Sequence, residues 1–300
     1  MGDVLEKDTL FLSSARSKLI LSVAFVGLVT LSVAIPIFAY EGTMHGPLTS
    51  GDLSRYLGFG GQNKIAVIYV EGQMASDKSS DSSSGSVYSC DIVKYLRTAT
   101  SDPSVKAIVL RVNSPGGTPV AAEEIIDQIH KTRAIKPVVV SMGDMAASAA
   151  YYISSQTDRI IADPDTFTGS IGVIWTFENK TKQYNDDGVS FYVAKSGAFK
   201  DMGSDKRSLT DDEKSYIQSI INESYDRFVD NVAAGRNMSV DQVRQIADGR
   251  VYTGATAKEL GLVDDLGGLY DAISIAQNLS HVKGNPVIVY MNPPPASSSK

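Results

Sequence analysis

The sequence predicts an α/β fold preceded by one membrane-spanning helix. Three observations carry this: Leu19 to Tyr40 holds no charged residue, short apolar runs rich in Val and Ile alternate with helical stretches after residue 63, and Gly-rich turns join several of them. The 300-residue chain, 43% hydrophobic and 21% charged, is long enough to bury a real core. A net charge of -6 excludes a basic nucleic-acid-binding surface. The single cysteine, Cys90, excludes an internal disulfide and a thiolate metal cluster, and reads as a helix-face or core residue.

At about 1.5 Å per residue, the stretch from Leu19 to Tyr40 reaches roughly 30 Å, the thickness of a bilayer core. Lys7, Arg16 and Lys18 precede it, and the next basic residue is Arg55, so the expected topology is cytoplasmic 1–18, membrane anchor 19–40 and an extracytoplasmic body at the cell membrane. The run is long for a signal peptide, and Ile37-Phe38-Ala39 is a poor cleavage site. Residues 41–62 read as a linker, 63–290 as the folded domain and 291–300, with its three prolines and serines, as a tail.

Within the domain, Lys64 to Val70 reads as a buried strand and the Ser-rich stretch 76–86 as a surface loop. Val105 to Val112 and Val138 to Ser141 suit buried parallel strands, with an amphipathic helix over Pro119 to Lys131 between them. A helix over Ala146 to Ser155 follows, then strands over Arg159 to Ala162, Ile171 to Phe177 and Phe191 to Ala194. Thr210 with Glu213 forms a capping box that opens a long helix to Asn231. Helices over Val240 to Ala247, Thr256 to Leu260 and Tyr270 to Leu279, and a last strand over Val287 to Tyr290, complete the expectation.

Chemistry concentrates in four segments. Asn113-Ser114-Pro115-Gly116-Gly117 follows a buried strand, where backbone amides of Gly116 and Gly117 can approach a ligand as an oxyanion hole. Ser148 stands among small residues after the next strand and is a candidate nucleophile facing those amides. Such a serine needs a base. His45, His130 and His281 have no partner pattern around them, which argues against a Ser-His-Asp triad. A lysine serves instead if burial disfavours its charged form. Lys200, beside Phe199 in a loop, is the candidate, Lys195 is its rival, and Ser170 in the turn Thr168-Gly169-Ser170-Ile171-Gly172 can orient the amine. Tyr151, Tyr152 and Trp175 read as core side chains, with an apolar subsite as the alternative.

These segments, with Asp248-Gly249-Arg250-Val251-Tyr252-Thr253-Gly254, Ala257 and Leu262-Val263-Asp264, occur in the order found in signal peptide peptidase A, or protease IV, and the chain resembles that family from about Lys64 to Ala276. The resemblance implies a ClpP- and crotonase-like spiral of ββα units, nucleophile Ser148, general base Lys200, orienting Ser170, and oxyanion donors from Gly116 or Gly117 with the amide of Ala149. It implies peptide substrates, cleaved signal peptides foremost, no cofactor or metal, and self-assembly into a ring or dome. Ala149-Ala150 replaces the Gly-Gly usual after the nucleophile, which leaves both amides in place. One Ser-Lys set matches the short form of the family. The rival readings are a crotonase-type acyl-CoA enzyme, disfavoured by an outward-facing body, and an inactive membrane scaffold, disfavoured by the complete Ser148, Ser170 and Lys200 set.

Overall fold

The computed structural model describes residues 63–77 and 85–292. The expected anchor 19–40, the linker, most of the Ser-rich loop and the tail from 293 lie outside the described residues. No helix among the described residues is long and apolar enough to cross a membrane.

The core is a parallel sheet in the order β10-β1-β4-β5-β6-β9. Its strands are β1 (Lys64–Glu71), β4 (Val105–Ser114), β5 (Val138–Ala147), β6 (Arg159–Ala162), β9 (Asp265–Leu266) and β10 (Val287–Tyr290). The near-continuous apolar run of β1 explains why it lies inside, since both faces are apolar: Ala66, Ile68 and Val70 face one core, while Ile65 and Val67 face the other, all 0% exposed. The larger core is covered by α1 (Ser89–Ser101), α2 (Pro119–Arg133), α3 (Ala149–Ser155) and α5 (Asp211–Arg236). The opposite face packs on α8 (Leu269–Leu279) through Ala272, Ile273 and Ala276.

Helix starts follow local chemistry. The Thr118 hydroxyl accepts from the Ala121 amide, with Pro119 opening α2. Thr210 and Glu213 form the expected capping box of α5, which runs to Arg236, five residues beyond the expected end. Between α3 and α5 lies α4 (Thr181–Asp186), and after α5 come α6 (Val240–Ile246) and α7 (Gly254–Glu259).

Several expectations are corrected. Helix α3 begins at Ala149 rather than Ala146, because Ala146 and Ala147 belong to β5, pairing with Thr168 and Gly169 of β7 (Phe167–Gly169). No strand forms over Ile171 to Phe177 or over Phe191 to Ala194. These apolar runs have the composition of strands but join no sheet edge among the described residues, and Ile174 and Tyr192 are 90% and 95% exposed. Helix α1 was not expected, and neither were the short β7 and β8 (Val251–Thr253), which pair antiparallel. Cys90 sits exposed on α1.

Two features, one in the central sheet and one in a separate two-stranded sheet, position the site. The β4–β5 register pairs Val112 with Met142 but Ser114 with Ala146, so β5 carries a bulge just before Ser148. The side-chain oxygen of Asn113 accepts from the Met145 amide at 3.2 Å and holds that bulge. The second is the strap formed by β2 (Gln73–Ala75) and β3 (Ser86–Tyr88), in which Met74 bridges to Gly117.

Candidate active site

Ser148 stands at the junction of β5 and α3, with φ 54° and ψ -125°. A non-glycine residue in this region is strained, and the surrounding bonds hold it there. Its amide donates to the Gly169 carbonyl at 2.9 Å, and its carbonyl accepts from the Tyr152 amide at 2.9 Å. This strand-turn-helix placement lifts the side chain away from the sheet into a cavity of about 950 Å³. Among the described residues its hydroxyl makes no hydrogen bond.

The turn from Ser114 to Gly117 lies against Ser148. A Cβ on Gly116, whose φ is +112°, would stand 2.9 Å from the Ser148 Cβ and 3.0 Å from the Ala149 nitrogen. A Cβ on Gly117 would meet the Met74 carbonyl oxygen at 2.0 Å. Only glycine fits at either position. The two amides differ in availability. The Gly116 amide donates to the buried Ser114 hydroxyl at 3.1 Å, and Gly117, not Gly116, lines the cavity. Neither the Gly117 amide nor the Ala149 amide has an acceptor among the described residues, and both residues border the cavity with Ser148.

Ser170 also lines the cavity. It has φ 49°, and its amide donates to the Arg250 carbonyl at 2.8 Å, so the β7–β8 pair fixes its place. The facing wall comes from α5, through Ile221, Tyr225 and Phe228 among others, and the α2 side includes Val120 and Glu123. Tyr152 joins the walls: its ring lies 4.5 Å from that of Phe228, and its hydroxyl donates to Glu123 at 2.6 Å and accepts from Asn231. Burial, then the Glu123 carboxylate, push its phenol well above the usual range. Tyr151 is a core residue, fully buried, and its hydroxyl donates to the Leu262 carbonyl at 3.0 Å. Trp175 is 52% exposed and packs on Phe177, outside this cavity.

The structure does not bring Lys200 to Ser148 within one chain. Lys200 is exposed, does not line the cavity, and follows Phe199, whose ring is 5.5 Å from Tyr216 in the second turn of α5. Phe228, beside Tyr152, lies twelve residues further on, about 18 Å along the helix axis at 1.5 Å per residue. The loop carrying Lys200 is nonetheless tied down. Arg207 reaches Asp201 through Nε at 2.9 Å and Nη2 at 2.6 Å. The same guanidinium reaches buried Glu213 through Nη1 at 2.8 Å and Nη2 at 2.6 Å. Lys195 pairs with Asp201 at 2.5 Å. Arg207 holds the Glu213 carboxyl down to about 2, and Arg207 with Lys195 holds Asp201 well below the carboxylate range. Lys195 is thus engaged, whereas Lys200 has no ion pair among the described residues.

Sequence reading singled out Ser148, Ser170 and the two glycines through their small-residue turns, and the structure sets Ser148, Ser170 and Gly117, but not Gly116, on the cavity. It missed Ser114 as the partner of the Gly116 amide, Met74 as the strap under Gly117 and Arg207 as the clamp of the lysine loop. Ser114 stood in view inside the SPGG turn. The other two depend on chain crossings that no local pattern reports. His130 contacts Gln156 at 3.2 Å on the exposed side of α2, and His281 lies just beyond α8. No group of residues suited to hold a metal ion occurs among the described residues.

Comparison with known proteins places this geometry in a family. The model of peptidase family S49 matches residues 130–283. Protease 4 of Haemophilus influenzae is 42% identical over 224 residues, which is 72% of this chain and 35% of that protein. A protein of Synechocystis is 40% identical over 219 residues, 73% of this chain and 75% of the relative. The chain thus spans about a third of one relative and three quarters of another. Among solved structures, a point mutant of the membrane-bound stomatin-specific protease 1510-N superposes with a TM-score of 0.51 at 14% identity, covering 78% of this chain and 99% of that one. That likeness speaks to the fold alone. A protein of Enterococcus faecium named for signal peptide peptidase A is 37% identical over 231 residues, 76% of this chain and 67% of that protein. By the family match and these relatives, the chain belongs to peptidase family S49, in the signal peptide peptidase A group of serine peptidases.

Proposed function

We propose that the protein is a membrane-anchored serine endopeptidase that degrades cleaved signal peptides and other hydrophobic or unfolded peptides at the membrane surface. The observation that carries the reading is the convergence of the strained, unengaged Ser148 with the acceptor-free amides of Gly117 and Ala149 on one cavity. In this scheme Lys200 takes the Ser148 Oγ proton as Oγ bonds to the scissile carbonyl carbon. The carbonyl electron pair moves onto oxygen, where Gly117 and Ala149 donate to it. The lysine proton then passes to the leaving amine, and water, deprotonated by the same lysine, releases the acyl group. Ser170, beside Ser148, orients the amine.

Because Lys200 is exposed and set apart from Ser148 in its own chain, the proposal includes its delivery by a neighbouring copy in a closed ring or dome. Support comes from the segment that bears it: Ile174, Trp175, Phe191, Tyr192, Val193 and Phe199 are all exposed, an apolar surface that a second copy would cover. Burial there would supply the desolvation that a lysine base needs. On this reading the fold is the ββα spiral of the ClpP and crotonase class, and residues 19–40 tether the body to the outer face of the membrane.

The test is labelling with a fluorophosphonate, together with mass-spectrometric mapping of products from a synthetic signal peptide. Labelling at Ser148, lost in Ser148→Ala along with cleavage, supports the reading. Cleavage that survives Ser148→Ala would contradict it, and acyl-CoA turnover without peptide cleavage would favour a crotonase-type enzyme.

A further inference from the structure

The turn beside Ser148 offers two adjacent glycine amides, yet only one has no acceptor among the described residues. Ser114 is 0% exposed at the end of β4, and its hydroxyl accepts from the Gly116 amide at 3.1 Å. The Gly116 carbonyl accepts from the Met74 amide at 2.8 Å, and the Met74 carbonyl accepts from the Thr118 amide at 3.0 Å. Gly116 therefore has both backbone groups committed to the protein. A Cβ built on Gly116 would stand 2.9 Å from the Ser148 Cβ, so this residue is packed directly against the nucleophile. With Gly116 fixed in this way, the next peptide unit is the one that presents an unengaged N–H on the cavity side.

We infer that Ser114 is a positioning residue for the proposed hydrolysis: by holding the Gly116 amide, its hydroxyl orients the turn so that the Gly117 amide faces the substrate carbonyl. The inference rests on Ser148 being the nucleophile. Removing the hydroxyl leaves the Gly116 N–H buried without an acceptor. A flip of the Pro115–Gly116 peptide that seeks one changes φ at Gly116, the torsion leading into the peptide that carries the Gly117 N–H, which then keeps only the Met74 bond at the Gly116 carbonyl to hold its direction. Such a flip weakens only interactions made once negative charge has developed on the carbonyl oxygen.

The experiment compares full-length wild type with Ser114→Ala, Ser114→Cys and Ser114→Thr. It measures cleavage of a fluorogenic peptide, inhibition by the matching peptide aldehyde and binding of the matching product peptide. The aldehyde forms a bond between Ser148 Oγ and its carbonyl carbon while the proton goes to the base, so its oxygen occupies the same hole. Ser114→Ala is expected to lower kcat by about 10²-fold, the range for losing one oxyanion donor, with KM within about threefold. Aldehyde affinity should fall in step with kcat while product binding holds. Ser114→Thr, which keeps the hydroxyl, should recover most of the loss. Ser114→Cys, with its weaker acceptor, should fall between, and it carries the comparison if the alanine variant does not fold. A folded Ser114→Ala or Ser114→Cys variant with wild-type kcat would overturn the inference. So would equal losses of aldehyde and product binding, which mark general damage to the site. Absence of fluorophosphonate labelling in wild type would instead defeat the assignment of Ser148 itself.

Discussion

Gly116 and Ser148 touch: a Cβ added to the glycine would stand 2.9 Å from the Cβ of the serine, closer than real Cβ contacts allow. The end of β4 and the end of β5 are thereby pressed together at the point where the proposed nucleophile and oxyanion donors meet. Gly116→Ala should therefore damage the site more than the fold. We expect kcat/KM to fall at least ~10²-fold, against a destabilisation of about 1–3 kcal/mol from the positive φ and the contact. Peptide cleavage alongside thermal unfolding checks the split.

The strain at Ser148 predicts that activity and stability trade against each other. Glycine adopts φ 54°, ψ -125° without the penalty a side chain brings. Ser148→Gly should be inactive yet more stable than Ser148→Ala by about 1–2 kcal/mol, measured by denaturant midpoint with an unchanged m-value.

The two lysines of the 195–200 loop should respond differently. Lys195 is committed to Asp201 at 2.5 Å, while Lys200 has no such bond among the described residues. Lys200→Met should abolish turnover, whereas Lys195→Met should keep activity within about tenfold of wild type, since it removes only one support of a loop that Arg207 still holds. A Lys195→Met loss as deep as that of Lys200→Met would make Lys195 the base.

The Arg207 clamp sets an acid limit on this loop. Glu213 and Asp201 both have carboxyl groups depressed in the folded protein, so their stabilisation is fully present above the ordinary carboxylate range. It fades as pH falls from about 4.5 toward the folded value of about 2 for Glu213. Hydrogen exchange of the segment around residues 195–213 should be protected and free of any contribution from this clamp to its pH dependence between about pH 5 and 8, once intrinsic exchange is corrected. Protection should fall below about pH 4. Arg207→Ala should give the loosened pattern at neutral pH.

Much of the fold was legible because its signals are local. The apolar runs of β1, β4 and β5, Pro119 at the start of α2 and the Thr210–Glu213 box each report a nearby physical requirement. The failures cluster where partners are distant. The runs over 171–177 and 191–194 have strand composition, but pairing requires a free edge, and none meets them among the described residues. Helix α1 has no side-chain N-cap bond, so Asp91 in its first turn is a weaker mark of its start than a capping box would be. In the site, Ser148, Ser170 and Gly117 were recognisable from turn chemistry. The choice between Gly116 and Gly117 depended on the Ser114 hydroxyl and the Met74 strap, and the separation of Lys200 from Ser148 on the course of α5.

That separation makes one measurement decisive: mixing Ser148→Ala protein with Lys200→Met protein under conditions that let subunits exchange. If each site takes its serine from one copy and its lysine from the next, the two inactive variants restore one another, and random assembly at equal amounts gives about a quarter of wild-type activity. If both groups act within one chain, every site in the mixture lacks one of them, and a mixture as inactive as its components would contradict the account.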